Sequence, residues 1–114
     1  MKTNELVGAA LDWAVAKANG TPVYRIGKTL TRTDVEGNVY WQPSTNWAQG
    51  GEIIERERIG VFARNDYWES LYCDNLFKED GTDYFQTGAT PLVAAMRCYV
   101  ASKLGDAVQI PEGL

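Results

Sequence analysis

No histidine occurs among the 114 residues, and that absence removes a large part of ordinary enzyme chemistry. No side chain titrates near neutrality in its unperturbed state. Histidine-based triads and histidine-rich metal sites are excluded with it. Cysteine is nearly absent too: Cys73 and Cys98 have neither metal spacing nor a CxxC arrangement. Both are expected as thiols of a reducing compartment rather than as a disulfide. A long apolar run is also missing. The longest, "LVGAALDWAVAKA", is broken by Asp12 and is shorter than a bilayer span. "MKTNELV" lacks the apolar core of a secretory leader, so a cytosolic protein without membrane contact is expected. No phosphate loop or dinucleotide fingerprint is present, because Gly50-Gly51 matches neither pattern. No metal or cofactor is implied.

An excess of basic charge is lacking as well. The formal net charge is −4. Residues 1–60 carry seven basic and seven acidic side chains, whereas residues 61–114 carry four and eight. Between Asp66 and Asp83, six acids (Asp66, Glu69, Asp74, Glu79, Asp80, Asp83) meet only Lys78. Nucleic-acid binders exchange basic side chains for phosphate counterions, so direct nucleic-acid binding is disfavoured.

What is present fits a single globular domain over residues 1–114. Hydrophobic residues make up 45% and charged residues 23%, too apolar a balance for intrinsic disorder. A helix is expected over about Thr3–Ala18, with Thr3 or Asn4 as cap and Gly20 as stop. It is apolar nearly all round, as buried helices are. A second is expected in "ATPLVAAMRCYVASKLGD", with Thr90 as N-cap, Pro91 at the first position and Gly105 at the end. Between them "PVYRIGKTL" alternates as a half-buried strand, and a turn at Glu36-Gly37-Asn38 makes residues 23–42 a hairpin. "EIIERE" and "IGVFAR" read as further strands, "YWESLYC" as strand or helix, and residues 74–89 as loop. The fold class is therefore α+β: two Ala-rich helices, N- and C-terminal, packed on a small, mainly antiparallel sheet.

Candidate chemistry is sparse. Glu55 and Glu57 would point the same way on a strand and form a carboxylate pair, but Arg56 and Arg58 interleave with them as on a solvated edge. Cys98 lies mid-helix among alanines and Cys73 beside Asp74, neither of which activates a thiol. Asp12 and Arg97 are isolated charges on the two helices, and a structural ion pair between them is expected because a lone buried charge is costly. The densest cluster is "PSTNWAQGG". Ser44, Thr45, Asn46 and Gln49 surround Trp47, and Gly50 and Gly51 permit positive φ or close backbone approach. It reads as a structured loop pinned by a buried tryptophan, as a recognition loop with an aromatic platform, or as both. With Glu55 nearby, these residues are the candidate site for a ligand or partner.

Three blocks, "LVGAALDWAVAKANG", "PSTNWAQGGEIIERERI" and "TPLVAAMRCYVASKLGD", together resemble the NinX-like family of small proteins from lambdoid and related phages and from prophages of enteric bacteria. Asn46 stands where that family is associated with an aspartate, and Glu52 where it is associated with a proline. The missing acid at position 46 weakens a catalytic or metal reading. The resemblance implies a phage or prophage origin and residence in the host cytoplasm; it implies no activity.

These features together suggest a phage accessory protein that binds a host or phage protein, or a small polar ligand, through residues 43–51. Exposed Tyr40, Trp41, Tyr67 and Trp68 would extend the surface, and an edge strand or aromatic patch leaves room for a homodimer. Two alternatives stand beside this reading. One is an enzyme that uses Asp12 or Glu55 without histidine. The other is an acidic decoy for a host DNA-binding protein, presenting residues 66–83 as a negative face.

Overall fold

The structure, a computed structural model, describes residues 1–34, 37–72 and 85–114. Its centre is the C-terminal helix. Helix α3 spans Pro91–Leu104; the Thr90 hydroxyl accepts from Val93 N at 3.1 Å, Pro91 opens the helix and Gly105 closes it, as expected. Leu92, Ala94, Ala95, Met96, Cys98, Tyr99, Val100 and Ala101 are all buried. A helix buried on so many sides must be covered by several elements, and α3 is.

Helix α1, Gly8–Asn19, packs against α3. The two Ala-rich helices thus meet, and the small side chains Ala10, Ala14, Ala95 and Cys98 enter the shared core. Gly20 terminates α1 in the left-handed conformation, as expected. The start of α1 differs. Residues Thr3–Glu5 form a separate 3₁₀ turn, and the buried Thr3 caps nothing. Its hydroxyl donates to Gly105 O and its N–H to Asp106 O, each at 2.7 Å, tying this turn to the end of α3.

The strands form two antiparallel three-stranded sheets. The first comprises β1 (Tyr24–Ile26), β2 (Thr29–Asp34) and β3 (Gly37–Tyr40). The expected continuous strand through "PVYRIGKTL" breaks at Gly27, whose φ of 62° belongs to the two-residue turns that join hairpin strands. Nor is this strand half-buried. Leu30 reaches the core, while Tyr24 and Ile26 are exposed. Of the turn expected at 36–38, Gly37 and Asn38 belong to β3 and Glu36 lies outside the described residues.

Helix α2, Trp47–Glu57, replaces both the expected loop at 47–51 and the expected strand "EIIERE". Gly50, Ile53, Ile54 and Glu57 recur at helical spacing, and Gly50 and Ile53 are the buried ones. Arg58, at φ 58°, ends the helix. The second sheet then runs β4 (Ile59–Ala63), β5 (Trp68–Tyr72) and β6 (Gln86–Gly88), with α3 across it. "IGVFAR" is a strand as expected, and in "YWESLYC" Trp68–Tyr72 is one, with Cys73 outside the described residues. Gln86–Gly88 is a strand where loop was expected; of that stretch, residues 74–84 lie outside the described set. The architecture is α+β.

Candidate functional site

Residues 40–51 turn from β3 into α2, and their polar side chains are largely committed to the chain itself. The indole N–H of Trp41 donates to Asp12 O at 2.8 Å. Trp41 is only 2% exposed, so it is an anchor and not the surface aromatic that was expected. Thr45 N and Asn46 N both donate to Gln42 O, closing the turn. Asn46 is the N-cap of α2, its Oδ1 accepting from Gln49 N at 3.2 Å. Gln49 staples the turn: its Oε1 accepts from Gln42 N at 2.6 Å, and its Nε2 donates to Tyr40 O at 2.7 Å. Ser44 is buried, and its N–H donates to Asp12 Oδ1 at 2.7 Å.

The two glycines serve different ends, and neither has a positive φ. A Cβ on Gly50 would collide with Pro43 O and with Leu92 Cδ2, so Gly50 permits the turn to lie against α3. A Cβ on Gly51 would meet only the Trp47 ring, at 3.7 Å. Trp47 itself is not buried; it stands 57% exposed on the first turn of α2. Glu55 is exposed further along the helix.

Beside this turn lies an open groove of about 800 Å³. Asn46 and Gln49 of the expected site residues line it, together with Tyr24, Ile26, Thr31, Arg32 and Tyr40 from the first sheet. Tyr24, Ile26 and Tyr40 are 47%, 75% and 64% exposed. Arg32 lies with its guanidinium carbon 5.2 Å from the buried Trp41 ring, a cation–π contact. Its Nε is buried and has no hydrogen-bond partner among the described residues. The sequence signal for the groove was weak: Tyr24 and Ile26 alternate as core residues do, and only the register shows that their face is uncovered.

A second, smaller cavity of about 230 Å³ lies on the other side of the turn, lined by Asp12, Lys28, Trp41, Ser44 and Thr45 among others. Burial pushes the Asp12 pKa up to about 6, against the opposing pull of the Ser44 hydrogen bond. The Ser44 hydroxyl is buried there without a hydrogen-bond partner among the described residues.

Asp12 and Arg97 do not form the expected ion pair. Arg97 Nε donates to Leu6 O at 2.9 Å and its NH1 to Thr87 O at 2.8 Å. Main-chain carbonyls can satisfy a guanidinium without a carboxylate, so Arg97 clasps the segment before α1 to β6, and Asp12 serves the turn. The Glu55/Glu57 pair is overturned too, because on a helix residues two apart diverge. Glu57 instead accepts from Tyr72 OH at 3.2 Å and pairs with Arg56 at 3.2 Å. Arg56 also donates to Asn19 Oδ1 at 2.6 Å. This polar joint between the ends of α1 and α2 and strand β5 was not foreseen, because its members are far apart in sequence.

Cys98 is buried, and burial pushes its thiol up to about 12. Cys73 lies outside the described residues, as does most of the acidic segment; of its described members, Glu69 is paired with Arg64 at 2.9 Å. No group of three or more acidic or sulfur ligands gathers among the described residues, and no described helix is long and apolar enough to cross a membrane.

The blocks that bear the turn, the groove edge and the two packed helices are covered, up to residue 103, by one family match. The family described as Bacteriophage P22, NinX, matches residues 2–103. The chain belongs to the NinX family. The NinX match runs from the turn before α1 almost to the end of α3, so it takes in Asp12, the 43–51 turn and every residue that lines the large groove. NinX membership makes this a phage protein. No curated protein matches the chain.

Proposed function

We propose that this NinX protein acts by binding, in the cytoplasm of the host, with the groove between the first sheet and the start of α2 as its site. One observation carries the reading: an open groove of about 800 Å³ adjoins the 43–51 turn, and its exposed Tyr24, Ile26 and Tyr40 have no role in the core. Ligand sites are typically concave and mainly apolar, with a few polar groups that fix orientation, and Asn46 and Gln49 are such groups. The Gln49 and Asn46 bonds hold the rim rigid, which lowers the ordering cost of association. The reading therefore shifts the centre of the site from Trp47, which does not line the groove, to Tyr24 and Tyr40 of the sheet. Trp47, exposed on the same turn, extends the contact surface.

The test is affinity capture from phage-infected cells with wild type, Tyr40→Ala and Trp47→Ala. Both side chains are exposed, so both variants fold. Tyr40→Ala is expected to lose the partners that wild type captures and Trp47→Ala to weaken them. Folded variants that keep every partner remove the proposal.

A second reading is favoured by Asp12. A buried carboxylate with its pKa raised to about 6, lining a small cavity of mixed polar and apolar walls, is poised as general acids and bases are. Glu55 takes no part in it. Site-resolved NMR that finds Asp12 titrating near its ordinary 3.8 would withdraw this reading.

A further inference from the structure

We propose that the groove clamps a nucleobase between Tyr24 and Tyr40; the assignment rests on the binding reading above and names its ligand class. The register sets the geometry. Thr31 of β2 pairs with Tyr24 of β1 on one side and with Tyr40 of β3 on the other. Directly paired residues of an antiparallel sheet share a face, and neighbouring strands lie about 5 Å apart. The two tyrosines therefore stand about 10 Å apart across a small floor residue. Aromatic rings settle with centroids about 4.5–7 Å apart, so one flat ring midway lies within reach of both. Two aliphatic walls would hold such a ring no better than any other apolar group. Two tyrosines separated by a threonine favour a planar, π-bearing ligand.

The remaining lining agrees. Neither tyrosine hydroxyl hydrogen-bonds to another described residue, and both rings are exposed. Amides of Asn38, Gln42 and Asn46 edge the groove, and the ring edges of a base offer donors and acceptors to amides. Acids outnumber bases fifteen to eleven in the whole chain, yet no carboxylate lines the groove; Arg32, next to Thr31 along β2, turns to the opposite face of the sheet, against Trp41. An acidic peptide would leave the tyrosine pair without a flat partner.

A base can arrive as a free nucleoside or nucleotide, or within a single strand. Adenosine, adenosine 5′-monophosphate and an eight-residue oligodeoxyadenylate are titrated into the full chain, read by amide NMR shifts. Shifts are expected at Tyr24, Thr31 and Tyr40 with adenosine and its monophosphate. Base–aromatic stacking predicts that Tyr24→Ala or Tyr40→Ala weakens binding roughly 5- to 150-fold. Thr31→Tyr, which fills the slot, is expected to abolish it. Tighter, salt-sensitive binding of the oligomer identifies a strand as the source, and equal affinity per base identifies the free nucleotide. Absence of groove shifts with all three probes in the millimolar range overturns the proposal, as do shifts that survive Tyr24→Ala. If Tyr40-dependent partner capture persists while no probe moves the groove, the ligand class fails and the binding reading stands. If neither effect appears, both fall.

Discussion

The Asp12 carboxylate and the main-chain N–H of Ser44 meet at 2.7 Å in the interior, 32 residues apart in sequence. One residue thereby joins α1 to the turn twice, since the Asp12 carbonyl also accepts the Trp41 indole N–H. The consequences for stability can be measured, and they differ from those of a paired charge.

Asp12 should make the fold less stable as pH rises. Its folded pKa of about 6 lies above the ordinary 3.8. The stabilising contribution is therefore complete below pH 3.8 and is lost as pH rises through 6. The displacement corresponds to on the order of 3 kcal/mol between those limits. Asp12→Asn keeps an acceptor for Ser44 N and removes the charge. Urea unfolding at pH 4, 5, 6, 7 and 8 should show the variant gaining on wild type by about 1–3 kcal/mol at the upper end. A constant difference across the series would contradict the assignment.

The adjacent glycines of α2 should respond with opposite signs. Gly50→Ala drives a methyl group into Pro43 O and Leu92, and overpacking of this kind costs about 1–3 kcal/mol. Gly51→Ala meets only the Trp47 ring, at ordinary contact distance, and gains helix propensity worth about 0.5–1 kcal/mol. Thermal unfolding of the two single variants decides the matter; matching shifts would refute the close approach at Gly50.

Asn46 supports α2 through its side-chain oxygen. Asn46→Ala should destabilise by about 1 kcal/mol through loss of the cap. Asn46→Asp keeps the acceptor and adds a negative charge at the positive end of the helix, worth about 0.3–1 kcal/mol. Circular dichroism melts at low and high salt should show the gain with aspartate shrinking as salt rises.

Cys98 should resist thiol reagents in the native protein. It is buried, and its thiol is pushed up to about 12, so almost no thiolate exists at pH 8. Peptide mapping after iodoacetamide treatment is expected to find Cys98 modified only when the chain is first unfolded in denaturant.

Local rules made α3 legible in advance, because Thr90, Pro91 and Gly105 mark its ends within the segment itself and its apolar content demands burial. The stop of α1 at Gly20 was legible for the same reason. Helix α2 was hidden by its own composition. Two glycines in its first turns cost about 1 kcal/mol each relative to alanine, and Glu-Ile-Ile-Glu mimics an edge strand. Packing of Gly50 against Pro43 and Leu92, with Ile53 buried beneath, overrides that preference.

The candidate site divides in the same way. Trp47 was expected both as an anchor and as a platform. The structure gives the anchor to Trp41 and leaves Trp47 exposed. Asn46 reads from the sequence as a turn residue that satisfies backbone groups, and Gln49 as a hydrogen-bonder of a recognition loop; in the structure Asn46 caps α2 and Gln49, within that helix, holds backbone groups of its own chain. The Asp12–Arg97 pairing failed because a charge can be met by main-chain dipoles as well as by an opposite charge, and a sequence does not reveal which carbonyls lie nearby.

By itself, the sequence determined the exclusion of histidine chemistry, the α+β class, the two helices with their stops, and the family resemblance. All of these depend on residue type or on spacings of a few positions, where steric and hydrogen-bonding preferences act locally. The tertiary structure alone decided that β1 leaves Tyr24 and Ile26 uncovered, that Thr31 lies between Tyr24 and Tyr40, and that Asp12 is buried against Ser44. Those outcomes depend on which distant segments come together, and burial is a property of that meeting rather than of any one segment.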